Sequence, residues 1–120
     1  MNSLTKQLPN KVKKILDKHN IRNYESVYEQ DGEYYVELEW QSDAGEDVIG
    51  TIWFDGTTKG FVEGVREAYE SFDPDEHAAM WWENRNNVGG VPQSLRTLID
   101  DADGIQKTLE DLAIELARLK

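Results

Sequence analysis

Polar and apolar residues alternate along "EYYVELEWQ", residues 33–41, with the two-residue period of a half-buried strand. Tyr34, Val36, Leu38 and Trp40 fall on one face, and Glu33, Tyr35, Glu37 and Glu39 on the other. Two more strands are expected beside it, near Tyr24–Gln30 and over Val48–Phe54. Asp31-Gly32 is a two-residue hairpin signal, and "SDAGED" is a second turn. Connections this short permit only antiparallel neighbours, so the three strands form a meander.

Helical periods flank the strands. Val12, Ile15 and Leu16 make a narrow apolar stripe in a first helix running from about Leu8 or Pro9 to Asn20. Pro9 suits the first turn, where its missing N–H costs nothing. In "TTKGFVEGVREAYESF", Phe61, Val65, Ala68, Tyr69 and Phe72 share a face. "FDPDEHAAMWWENR" starts a further helix. Asp73 is the cap, Pro74 the first helical residue and Glu76 the third, which is the capping-box pattern. His77 falls where it can stack on Phe72. "NNVGGVP" reads as a loop, and Pro92 opens the last element. There Leu95, Leu98, Ala102, Ile105, Leu109, Leu112, Leu116 and Leu119 alternate spacings of three and four, a heptad pattern that Ile99 and Ala113 widen. The wider stripe predicts packing on the chain's own sheet and helices. A helix of about 25 residues spans about 37 Å, so its C-terminal part is expected to protrude or to meet a partner helix. The class is α+β: an N-terminal helix, a three-stranded antiparallel meander, two shorter helices and a long C-terminal helix, in a single domain over residues 1–120.

Charge changes the picture more than composition does. The 120 residues carry a net charge of −11. Residues 1–22 hold six bases and one acid, whereas residues 23–57 hold ten acids and no Lys or Arg. A field of this sign repels nucleic acid and anionic membranes and attracts basic protein surfaces. There is no cysteine, which removes disulfides, thiolate catalysis and Cys-based zinc sites. Neither a leader's apolar region nor a membrane-spanning run is visible, so a cytoplasmic location is expected.

Catalytic chemistry is scarce. His19 ends the first helix, where a cation complements the macrodipole. His77 is accounted for by the cap and its stacking on Phe72. "IDDADGIQKTLE" has the spacing of a calcium loop, but Ile99 stands at the first ligand position and the heptad runs through it unbroken. "GTTKG" lacks the phosphate-loop spacing. No catalytic residue, metal site or cofactor is therefore expected, and the chain reads as a non-enzyme. Trp81 and Trp82 diverge by about 100° on a helix. The reading is that one packs on the sheet and the other under the long helix, with an exposed partner anchor as the alternative.

The acidic strand face remains as the candidate site. It comprises Glu33, Tyr35, Glu37 and Glu39, extended by Glu25 and Glu29 on the preceding strand and ringed by Asp31, Asp43, Glu46, Asp47 and Asp55 at the turns. Such a surface fits a basic groove that normally holds nucleic acid. Carboxylates stand where phosphates stand and Tyr35 takes a stacking position. The partner expected is a basic nucleic-acid-binding protein such as a defence nuclease, with no direct binding of nucleic acid or membrane. The alternative is a structural or adaptor protein that forms a homodimer through the C-terminal helix.

"FDPDEHAAMWWENR", "GVPQSLRTLIDDADGI" and the Leu-rich helix resemble a family of small acidic proteins of phages and bacterial mobile elements. The resemblance covers about the C-terminal half. It implies no catalytic role. A phage setting, joined to the acidic strand, makes the chain similar in style to anti-CRISPR and antirestriction inhibitors.

Overall fold

The computed structural model describes residues 8–43, 45–84 and 94–119. Among the described residues, four helices and three strands follow the order α1 (Asn10–Lys18), β1 (Tyr28–Gln30), β2 (Glu33–Gln41), β3 (Asp47–Phe54), α2 (Thr58–Ser71), α3 (Pro74–Asn84) and α4 (Leu95–Ala117). The sheet is antiparallel, in the order β1-β2-β3. The architecture is α+β, as the alternation of periods predicts. "NNVGGVP" lies outside the described residues.

The inner face of the sheet supplies Val36, Leu38 and Trp40 from β2 and Val48, Ile52 and Phe54 from β3. Against them pack Val12 and Leu16 of α1, Phe61 and Val65 of α2, and Ile105, Leu109, Leu112 and Leu116 of α4. Removing this apolar surface from water is the main force holding the two layers together. Asp31 and Gly32 take φ of 54° and 86°, the paired left-handed conformation of a tight hairpin. Gly64 lets α2 approach β3 closely. A Cβ there would lie 2.7 Å from the Trp53 carbonyl oxygen.

Helix ends match their capping residues. Thr57 accepts a bond from the Gly60 N–H at 2.9 Å. Asp73 Oδ1 accepts from the Asp75 and Glu76 N–H groups at 3.0 and 3.2 Å. Each bond satisfies a donor that the first helical turn leaves orphaned. α4 runs unbroken through Ile99–Glu110, so the calcium-loop spacing there is a helix.

Three expectations need correction. The first strand does not begin at Tyr24. Only Tyr28–Gln30 pairs continuously, and Arg22 makes a separate bridge to Glu39. Asn23 adopts a φ of 69°, which turns the chain between the two pairings. Tyr24 then bonds back to Asp17 of α1 at 2.5 Å, and this bond pushes its phenol up to about 12. Nor does α4 protrude. Leu112 and Leu116 are fully buried, and Lys18 and His19 at the end of α1 both bond Glu115. The Lys18 and His19 contacts hold the Glu115 carboxyl below its ordinary value.

Trp81 and Trp82 are both half-buried and pack on a satellite cluster of Ala78, Leu98 and Ala102 between α3 and α4. The sheet takes neither of them.

Candidate partner-binding surface

α1, α2 and α4 pack on the inner face of the sheet, and Trp53 and Ile49 stay exposed on the outer one. β2 presents Glu33, Tyr35, Glu37 and Glu39 there, as its alternation predicts, and pairing sets what stands beside them. Tyr35 faces Tyr28 of β1 and Trp53 of β3. The Tyr28 and Tyr35 rings stack with centroids 5.3 Å apart, and Tyr35 and Trp53 stand 4.6 Å apart. An aromatic row therefore crosses all three strands. Trp53 is 45% exposed and Ile49, on the same face, is 59% exposed. Carboxylates border this row. Glu33 lies on the hairpin-tip side and Glu37 and Glu39 on the other. Asp47 begins β3 beyond them, and its Oδ1 accepts a long bond from Gln41 at 3.5 Å.

The register explains how the sheet tolerates this charge. Glu33 sits opposite Gln30, Glu37 opposite Thr51, and Glu39 opposite Ile49. No carboxylate of the outer face has another directly across from it, where like charges destabilise most. Neighbouring acids lie along the strand, about 6.6–6.8 Å apart, in high dielectric. Arg22, paired with Glu39 on the other edge of β2, also brings one cation to this end of the row. The expectation of a face without any nearby base is corrected to that extent.

The remaining candidate acids separate. Asp31 occupies the exposed hairpin tip beside Glu33. Glu29 pairs with Tyr34, so its side chain belongs to the opposite face of the sheet. Glu25 lies in the turn between Arg22 and β1, outside any strand. Asp43 faces α4, with its Oδ2 3.8 Å from where a Cβ on Gly104 would be. Glu46 also leaves the outer face. Its Oε1 lies 2.9 Å from His77 Nε2, tying the β2–β3 turn to α3. The bond to this carboxylate raises the His77 pKa, while partial burial opposes the shift. His77 also lies 5.3 Å from the Phe72 ring, the stacking that its place after the cap predicts.

Sequence periodicity finds the acids of β2 but misses Tyr28 and Trp53 as their companions. The signal was present as alternation in "VIGTIWF", where Val48, Gly50, Ile52 and Phe54 share one parity and Ile49, Thr51 and Trp53 the other. Both parities are mostly apolar, so alternation alone does not say which faces water.

No group of three or more His, Asp or Glu side chains among the described residues could hold a metal ion. No helix among them is long and apolar enough to cross a membrane. Compared with known proteins, the chain matches no family model, no curated protein and no solved structure.

Proposed function

We propose that this chain is a non-enzymatic inhibitor whose outer sheet face occupies the basic groove of a nucleic-acid-binding defence enzyme. The observation that carries this reading is the aromatic row of Tyr28, Tyr35 and Trp53 bordered by Glu33, Glu37, Glu39 and Asp47. Exposed Trp and Tyr are the residues that dominate binding energy at protein interfaces. Surrounding carboxylates steer a basic partner and fix its orientation. A groove built for nucleic acid offers both complements, cations for phosphates and flat surfaces for bases. The net charge of −11 disfavours nucleic acid itself as the ligand and favours a basic protein surface.

Self-association through α4 has less support. Its seam residues Leu98, Ala102, Ile105, Leu109, Leu112 and Leu116 are buried in the chain's own cores.

The test is capture from a bacterial lysate at low and moderate salt, beside a variant carrying Glu33→Gln, Glu37→Gln and Glu39→Gln. The expected result is a nuclease or other DNA-binding protein held by the wild type, lost in the variant, and released by added duplex DNA. Equal retention by the variant overturns the assignment of this face, as does a partner that duplex DNA fails to release.

A further inference from the structure

The edge of β3 at Ile49–Thr51, short of the point where α2 closes on the Trp53 carbonyl, forms a second surface, and it does not depend on the inhibitor reading. Glu39 exchanges both backbone bonds with Arg22, at 2.6 and 3.0 Å, on the side of β2 away from β3. Its β3 partner, Ile49, therefore belongs to a non-hydrogen-bonded pair. The Ser42 N–H bond to the Glu46 carbonyl at 2.9 Å sets the same alternation from the turn. The N–H and C=O groups of Ile49 and Thr51 consequently point to the open edge. No strand of the sheet pairs with them there, since β3 is the last in the order β1-β2-β3.

Beside this edge lies a cavity of about 410 Å³. Trp40, Ile105 and Leu109 line it from the core, with Ala68 of α2 and Phe72 just after that helix. Gly50 lies between Ile49 and Thr51 and also lines it, and its missing side chain leaves the inner face open next to the Trp40 indole. An open strand edge with a side-chain pocket is the arrangement that β-augmentation uses.

We infer that β3 accepts an added strand from a basic peptide, with an apolar side chain seated in the cavity opposite Gly50. In such a strand the residue facing Gly50 points inward and its two neighbours point outward. Those neighbours lie over Ile49 and Thr51, whose own partners in β2 are Glu39 and Glu37. Lys or Arg at these positions meets the carboxylate row, with Asp47 at the strand's start. The occupant is thus an extended segment with an aliphatic or aromatic residue between two bases.

The capped peptide Thr-Lys-Leu-Arg-Thr, titrated into isotope-labelled full-length protein, tests this. Saturable shifts are expected at the Ile49, Gly50 and Thr51 amides. Methylating the three central peptide nitrogens removes the strand bonds, and replacing Leu by Ser removes the anchor. Each should weaken binding about tenfold or more, equal to about 1.4 kcal/mol. Gly50→Val fills the opening while leaving Glu33, Glu37 and Glu39 in place, and should abolish binding. Absence of shifts, shifts confined to the Glu33–Tyr35 region, or undiminished binding of the methylated peptide to the wild type overturns the inference. Because the methylated peptide is tested on unaltered protein, the result stands even if Gly50→Val does not fold. The outer-face reading is judged separately, by release with duplex DNA.

Discussion

Glu46 and His77 show how one contact between distant residues carries a measurable pH dependence. The His77 pKa is raised in the folded chain by its bond to Glu46. A group raised on folding adds stability in full below its unfolded value, near pH 6.5, and loses it as pH rises through the folded value. Unfolding midpoints in urea should therefore fall between pH 6 and pH 9 in the wild type. Glu46→Gln should flatten that dependence and cost about 0.5–1 kcal/mol at pH 6, as expected for a partly exposed pair. A wild-type slope identical to the variant's would remove the pair from the account. The acid limb has the opposite sign. Glu115 is held below its ordinary value, chiefly by Lys18 and then by His19. Its contribution is present above about pH 4.5 and is lost as pH falls through the folded value.

At the scale of elements, two glycines in similar sequence settings have opposite consequences. Gly50 lies inside β3, where an added Cβ would meet Trp40 Cζ3 at 3.5 Å, an ordinary contact. Gly50→Ala should raise stability by about 0.5–1 kcal/mol, because glycine loses the most backbone entropy on folding. Gly64 lies in α2, where the same atom would sit 2.7 Å from the Trp53 carbonyl and 2.8 Å from Ile52 Cγ2. Gly64→Ala should lower stability by about 1–3 kcal/mol, since helix and strand must separate. Thermal melts of the two variants check both signs. The α4 stripe supplies a third comparison. Leu112 is completely buried, so Leu112→Ala should cost about 2–5 kcal/mol through the cavity it leaves. Sedimentation should show no change in the association state of the folded protein. A shift of that state with little loss of stability would mean that α4 serves a partner helix.

For the whole molecule the governing quantity is charge and where it is placed. The acids of β2 face Gln30, Thr51 and Ile49 across the strands, so their repulsion stays small. Replacing Glu33, Glu37 and Glu39 by Gln together should therefore change folding stability by less than about 1 kcal/mol, measured by chemical denaturation. Partner binding should respond far more, and increasingly so at low salt, because exposed charges act over a Debye length of about 8–10 Å. A large stability gain in the variant would mean that the wild type carries real electrostatic strain on this face.

The strand alternation in "EYYVELEWQ", the Asp31-Gly32 turn and the heptad spacing from Leu98 to Leu116 were legible without coordinates. Each depends on neighbours two to four residues apart, and the local backbone alone sets those directions. The acidic parity of β2 was legible for the same reason. Register and long-range pairing were not. Glu29 carries the same charge as Glu33, but its partner Tyr34 places it on the other face. Glu46 sits among turn acids in the sequence, but it leaves the acidic face for His77, 31 positions away. The aromatic row needs three strands in one alignment, and the open edge of β3 needs the alternation of hydrogen bonds around Glu39. Both follow from which backbone groups meet when the sheet closes over its core. That choice belongs to packing between distant segments, so only the tertiary structure decided it.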